Sequence, residues 1–206
     1  MLTQNIELLF LLSVAIKLFT VNKVIMKKVL FPAIVSTLIL FIWQFISWAA
    51  INFHEKAQSY TDKQDKLLNA IKATGLKEGA YFLPLPKPGS STAEQEAHNT
   101  EMIGKPWVMI QYHDAFKVNM AMNFTRGLSI HFISSLILIW MIGLMANQTF
   151  MNILKVSLAI GFVGFLFYPY TNDIWYETFD TVASLMDAVV AWGLVGIFMG
   201  WYLKKA

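Results

Sequence analysis

The stretch VLFPAIVSTLILFIWQFISWAAINF, residues 29–53, decides the fold class of this chain. Gln44 and Asn52 are its only strongly polar interior residues. About 20 largely apolar residues are enough to cross the hydrocarbon core of a bilayer as an α-helix. A cleaved signal peptide is a poorer interpretation, because its apolar core is only about 7–15 residues long. The stretch therefore predicts an uncleaved transmembrane helix, within an anchor segment over residues 26–53.

Three more stretches are candidate spans: residues 127–146, 156–170 and 181–203. The second of these ends at Pro169, and it is long enough to cross if it begins near Phe150. Overall, 56% of the residues are hydrophobic and 14% are charged, whereas soluble domains have about 45–50% and about 25%. The chain is therefore predicted to be an all-α transmembrane bundle of four spans, with three of them in residues 127–206.

Residues 1–25 contain a further largely apolar run, 6–21, which is interrupted by Glu7, Ser13, Lys17 and Thr20. If residues 4–21 cross the bilayer, the protein has five spans. If they do not, the run forms an amphipathic helix in the membrane interface. A third interpretation is that translation starts at Met26, where two lysines precede the anchor. The sequence leaves these alternatives open.

Charge placement predicts the topology, because short loops rich in lysine and arginine stay in the cytoplasm. Six lysines flank the spans at places that contain no acidic residue, namely Lys23, Lys27, Lys28, Lys155, Lys204 and Lys205. The loop 171–180 has three acidic residues and no basic one. We therefore expect a multi-pass protein of the bacterial inner membrane, with a cytoplasmic C-terminus and a periplasmic segment over residues 54–126.

The segment 54–126 is predicted to fold as a small α+β extracytoplasmic cap. Thr61 to Gln64 matches a capping box that starts a helix, and Ser91 to Glu94 predicts a second helix through His98. Residues 81–83 and 107–112 form two extended runs that we expect to pair. Over residues 54–125, eight lysines balance eight acidic residues, which argues against a surface for nucleic acid.

Three polar side chains inside the predicted spans provide the main candidate site. They are Gln44, His131 and Asp187, and each lies about five to seven residues from the same end of the bundle. At a rise of 1.5 Å per residue, this is roughly 7–11 Å below the surface. Arg126 lies at the rim, just above them. An unpaired aspartate in lipid is costly, so we expect His131 to be the partner of Asp187, with Arg126 second. The plainer interpretation is a hydrogen-bonded cluster that holds the helices together. The more specific, functional interpretation is a proton or ion site, or a polar pocket.

Other candidate features favour structural roles. Gly196 and Gly200 form a GxxxG pattern, which we expect to pack within the chain. His54, His98 and His113 are of a ligand type that binds zinc, but they lack a recognised ligand spacing and are predicted to be solvated surface residues. The absence of cysteine excludes disulfides and thiolate sites. We expect no metal, no cofactor and no catalytic residue.

A basic start to a single anchor, the run YFLP at 81–84, a strand that ends at Tyr112-His113 and three closing helices together resemble a group of small, uncharacterised bacterial polytopic membrane proteins. The resemblance covers roughly residues 26–203, and residues 1–25 depart from it. It implies this topology, and it implies no activity.

The expected function is that of a non-enzymatic structural or accessory component of a membrane assembly. Its expected partners are the lipid bilayer and other membrane-protein subunits, with no nucleic acid. One alternative is a small proton, ion or solute transporter that uses Gln44, His131 and Asp187. Another is a membrane-embedded enzyme that acts on lipid or quinone, with His131 and Asp187 as an acid–base pair. The enzyme alternative lacks a recognisable nucleophile or metal set.

Overall fold

A computed structural model describes residues 25–204, so the apolar run predicted over residues 4–21 lies outside the described residues. Six helices of eight residues or more and two strands follow one another within residues 25–204. They are α1 (Met26–Ala50), α2 (Gln64–Ala73), β1 (Gly79–Leu83), α3 (Thr92–Met102), β2 (Val108–Tyr112), α4 (Met120–Gly143), α5 (Phe150–Trp175) and α6 (Thr181–Leu203). Helices α1, α4, α5 and α6 are each long and apolar enough to cross a membrane. The prediction of a multi-pass helical membrane protein is confirmed at this level.

The described chain forms two compact units. The first unit combines the described residues up to Ser59 with those from Met120 onward, and it contains the four long helices. The second unit is Tyr60–Asn119 and contains α2, α3 and both strands.

In the first unit, α5 and α6 form the most extensive helix pair, and α1 packs against both α4 and α6. Glycines allow the close approach of α5 and α6. A Cβ atom on Gly161 would lie 2.5 Å from the carbonyl oxygen of Ala188, and one on Gly200 would lie 2.8 Å from the ring of Phe150. A Cβ atom on Gly196 would also be too close to α5. The GxxxG pair therefore packs within the chain, as predicted.

The core of the bundle is apolar and lies between these helices. Its buried side chains are Leu40, Leu138, Ile142, Ile153, Ala191, Val195 and Met199. Buried Ser157 of α5 donates a hydrogen bond to the carbonyl oxygen of Trp192 in α6 (2.6 Å). Burying this hydroxyl is tolerated because it has a partner.

Helix ends differ from prediction where local geometry outweighs hydropathy. α4 begins at Met120, ahead of the predicted 127, because residues 120–126 continue the helix without a Gly or Pro to stop it. α5 continues past Pro169, and residues 166–170 form a wider π-helical turn there. Such single turns occur within α-helices, and proline has no backbone N–H to donate to the helix. α6 has the predicted bounds, Thr181–Leu203.

The second unit contains a two-stranded antiparallel sheet. β1 pairs with β2 in a register that places Gly79 opposite Tyr112 and Leu83 opposite Val108, so the predicted pairing of the two extended runs is confirmed. A capping box of Ser91 and Glu94 starts α3, as predicted, although the helix continues beyond His98 to Met102.

The capping box predicted at Thr61 is wrong. α2 begins at Gln64, and Lys63 occupies the N-cap position without a side-chain cap. The Thr61 hydroxyl instead accepts a hydrogen bond from the backbone N–H of Lys63 (3.3 Å). Threonine readily forms such a local turn, and that turn competes with its use as a helix cap.

Candidate functional site

A chain reversal after α1 places His54 against the bundle. The last turn of α1, Ile46–Ala50, is π-helical, and Asn52 then adopts a left-handed conformation with φ = 56°, which asparagine tolerates better than most residues. The N–H of Phe53 donates to the carbonyl oxygen of Ser47 (2.9 Å). The chain thus folds back over the end of α1 and returns His54 to it.

His54 is almost completely buried, with 3% of its surface exposed. Its ring stacks on Trp48 at a centroid distance of 3.8 Å and an interplanar angle of 6°. Its Nδ1 lies 2.6 Å from Oδ1 of Asp180. Its Nε2 lies 3.1 Å from Oδ2 of Asp187 and 3.2 Å from Oγ of Ser47. The prediction that His54 is a solvated surface residue is therefore wrong.

Both carboxylates come from the start of α6. Asp180 precedes its first residue, and Asp187 lies two helical turns further along the same face. Oδ2 of Asp180 accepts from the hydroxyl of Ser184 (3.1 Å), and Oδ1 of Asp187 accepts from Nε1 of Trp43 (2.9 Å). We call this group the His54 cluster, and its members are Trp43, Ser47, Trp48, His54, Asp180, Ser184 and Asp187.

The cluster combines one imidazole with two carboxyl groups. An ionised carboxylate only accepts hydrogen bonds, and an imidazole nitrogen donates only when it carries a proton. Each nitrogen of His54 faces a carboxylate oxygen, and Nε2 also lies within hydrogen-bonding distance of the Ser47 hydroxyl, a group that can donate to it. Because two acidic groups share one basic group, the cluster has an acidic character.

A cavity of about 250 Å³ adjoins this cluster, and all four long helices line it. Its polar wall includes Gln44, His131, Ser184 and Asp187, and its aromatic wall includes Trp43, Phe165 and Trp192. Asp187 belongs to both the cluster and the cavity wall, and about 25% of its side chain remains exposed. The cluster and the cavity therefore share a carboxyl group.

The structure brings together three of the four residues of the predicted site. Gln44, His131 and Asp187 line one cavity, and Oε1 of Gln44 lies 3.0 Å from Nε2 of His131. The predicted pairing of His131 with Asp187 is wrong, because Trp43 and His54 occupy the two oxygens of Asp187. Arg126 is exposed and forms no ion pair with any residue in the range 25–204.

Sequence reasoning missed His54 and Asp180. Two signals in the sequence point to them. The seven-residue spacing of Asp180 and Asp187 places both on one helical face. His54 follows Asn52 by two residues, at the end of a span. No group of three or more His, Cys, Asp or Glu side chains among the described residues is arranged to hold a metal ion.

Chemically, the site combines an imidazole with two carboxyl groups and exposes one of those carboxyl groups to the cavity. His131 and Asp187, the acid–base pair of the enzyme alternative, have different partners, Gln44 and His54. Comparisons of the chain with protein-family models, curated proteins and solved structures found no match.

Proposed function

We propose that this protein is a non-enzymatic, multi-pass protein of the bacterial inner membrane that binds protons and a small solute, as a small transporter does. One observation carries the proposal. Asp187 is at once a member of the His54 cluster and part of the wall of a cavity among the four long helices. Ionisable groups inside a membrane bundle are costly and typically mark proton or solute pathways.

The proposed orientation places the His54 cluster toward the periplasm. Lys27 and Lys28 lie at the start of α1, and Lys204 follows the end of α6. The cluster is built from the opposite ends of these helices, where α1 ends and α6 begins. Since basic flanks remain cytoplasmic, the second compact unit is then the periplasmic cap.

Coupling between proton and solute follows from the shared carboxylate. Protonation of either carboxyl group would reduce the negative charge of the cluster and would weaken the hold of Asp187 on a cationic group. Binding of a solute at Asp187 therefore changes the affinity of the cluster for protons, and the reverse holds by linkage.

The experiment is proton flux in proteoliposomes that contain the purified full chain, with an imposed pH gradient and a pH-sensitive dye inside. We expect the wild-type protein to dissipate the gradient faster than protein-free liposomes do. Asp187→Asn should return the rate to the protein-free level while the protein still melts cooperatively. Glu177→Gln is the matched control, because Glu177 is an exposed carboxylate just before α6. A wild-type rate equal to that of empty liposomes would refute proton transport.

A second candidate function is that of an accessory subunit. The observation that favours it is the apolar surface of the second unit, where Ile103 and Phe116 are 81% and 95% exposed. A groove of about 540 Å³ in the same unit is lined by Leu83, Trp107 and Val108, among others. Exposed apolar surface of this kind favours contact with another membrane-protein subunit.

Co-purification in mild detergent tests the accessory role. We expect a partner in a fixed stoichiometry with the wild-type chain, and its loss from Ile103→Lys without loss of the chain itself. Lys117→Ala is a suitable control, because Lys117 is an exposed residue of the same unit. Repeated isolation of the chain alone would argue against this role.

A further inference from the structure

The cavity beside the His54 cluster has an acidic character. Asp187 is a carboxylate of its wall, and neither lysine nor arginine is among the described residues that line it. Oδ1 of Asp187 accepts from Nε1 of Trp43, and Oδ2 lies 3.1 Å from Nε2 of His54. A carboxylate has about four lone-pair sites, so some remain for a ligand. The cluster to which Asp187 belongs has two carboxyl groups and one imidazole. A partly buried negative charge is costly unless a cation offsets it, and this favours a cationic ligand.

The other walls suit the same ligand class. Trp43, Phe165 and Trp192 contribute aromatic rings, and the faces of such rings attract ammonium groups, including quaternary ones. Gln44 and His131 add hydrogen-bonding groups on the wall that α1 and α4 provide. A carboxylate beside several aromatic rings discriminates a cation from a neutral molecule of the same shape.

Two glycines of α5 line the cavity in different surroundings, because Gly161 is buried and Gly164 is exposed. A Cβ atom on Gly161 would lie 2.5 Å from the backbone of α6, so close packing requires that glycine. A Cβ atom on Gly164 would meet nothing within 4 Å, and Gly164 lines the cavity. The missing side chain at Gly164 thus leaves the exposed side of the cavity open to a ligand.

The volume indicates the size of the part of a ligand that the cavity encloses. An engineered protein cavity of about 150 Å³ holds benzene, which has six carbon atoms. The cavity here, about 250 Å³, therefore accommodates roughly ten non-hydrogen atoms on the same scale.

We infer that this cavity binds a small organic cation, an amine or quaternary ammonium compound with about ten non-hydrogen atoms or fewer. The inference rests on the proposed function, because it names the solute class of the same site. Asp187 supplies the charge, the aromatic rings enclose the ammonium group, and Gly164 leaves the space.

The first test compares two probes of the same shape and different charge. Choline and 3,3-dimethylbutan-1-ol differ in that a carbon atom replaces the quaternary nitrogen. Calorimetric titration of the full chain in detergent should show choline binding about tenfold tighter or more, since the ammonium group adds its attraction to the carboxylate and the rings. Choline that binds no tighter than the alcohol, or does not bind, would overturn the inference.

The second test uses variants of the cavity wall. Gly164→Leu fills the space and should abolish binding of both probes. Gly143→Leu is the matched control, because a Cβ atom on Gly143 also meets nothing within 4 Å and Gly143 lies outside this cavity. Asp187→Asn should remove the preference for choline and retain weak binding of the alcohol. If Asp187→Asn does not fold, the comparison of the two probes on the wild-type chain and on Gly164→Leu still decides the question.

The outcomes separate this inference from the proposed function. Equal binding of both probes, abolished by Gly164→Leu, would refute the cationic ligand class and would support a solute site in the cavity. Choline binding that Gly164→Leu leaves unchanged would place the cation elsewhere and would overturn the inference. Proton flux in liposomes that carry no choline tests proton transport by itself.

Discussion

Nδ1 of His54 lies 2.6 Å from Oδ1 of Asp180, although 126 residues separate them in the sequence. Through this contact, the turn that follows α1 is joined to the start of α6. The opposite nitrogen of the same ring faces Asp187 at 3.1 Å, so one imidazole links two carboxylates. Such short contacts to ionisable groups are among the stronger hydrogen bonds in proteins.

Replacing His54 by glutamine should therefore destabilise the protein. The variant leaves Asp180 and Asp187 near each other without the imidazole ring that contacts both of them. Breaking a buried charge pair costs about 3–5 kcal/mol, and because both aspartates are about 25% exposed we expect about 1–3 kcal/mol here. Thermal melting in detergent measures the effect. His113→Gln, at an exposed histidine, should melt like the wild type; equal stability of both variants would contradict the proposed role of His54.

Much of the bundle could be predicted from the sequence, because apolar length alone specifies a transmembrane helix. The common depth of Gln44, His131 and Asp187 was also predictable, since helical rise converts sequence position into depth. These three residues do line one cavity. Their role in function stays a prediction.

The true partner of Asp187 could not be predicted in the same way. It depends on the left-handed conformation of Asn52 and on the π-helical turn before it, which together return His54 to the bundle. Neither feature produces a periodic pattern in the sequence. A histidine that follows a span is therefore predicted to be an exposed loop residue. The same limit applies to Thr61, whose hydroxyl forms a local turn instead of a helix cap.

Two glycines of α5 should respond differently to the same substitution. Gly161→Ala places a Cβ atom 2.5 Å from the carbonyl oxygen of Ala188, so α5 and α6 must separate, and overpacking of this kind costs about 1–3 kcal/mol. Gly164→Ala meets open space and should be neutral or slightly stabilising, because alanine favours helix more than glycine does. Parallel melting curves of the two variants provide the measurement. Similar destabilisation in both would show that the helix pair is packed differently.

The capping box of α3 should give the second unit a defined response to acid. Hydrogen bonds from the backbone and side chain of Ser91 hold the pKa of Glu94 below its ordinary value of 4.5. A carboxylate whose pKa is lowered by folding stabilises the folded state above its unfolded pKa, and this contribution is lost as pH falls through the lower, folded pKa. Ser91→Ala should therefore reduce the hydrogen-exchange protection of α3 at pH 7.

The difference between Ser91→Ala and the wild type should shrink as the pH falls through and below the folded pKa of Glu94, after correction for intrinsic exchange rates. Thr100→Ala is the control, because its hydroxyl bonds to a backbone carbonyl in the same helix (2.8 Å) and to no carboxylate. A difference for Ser91→Ala that persists unchanged to pH 3 would show that Glu94 does not contribute to the cap in its ionised form.

The proposed orientation can be tested by single-cysteine labelling, because the chain has no cysteine of its own. Lys77→Cys lies in the second compact unit, and Lys204→Cys follows the end of α6. If the lysine-rich helix ends stay in the cytoplasm, a membrane-impermeant maleimide applied to intact spheroplasts should label Lys77→Cys. It should reach Lys204→Cys only after lysis. The reverse pattern would place the His54 cluster and its cavity toward the cytoplasm, and any solute would then reach Asp187 from that side.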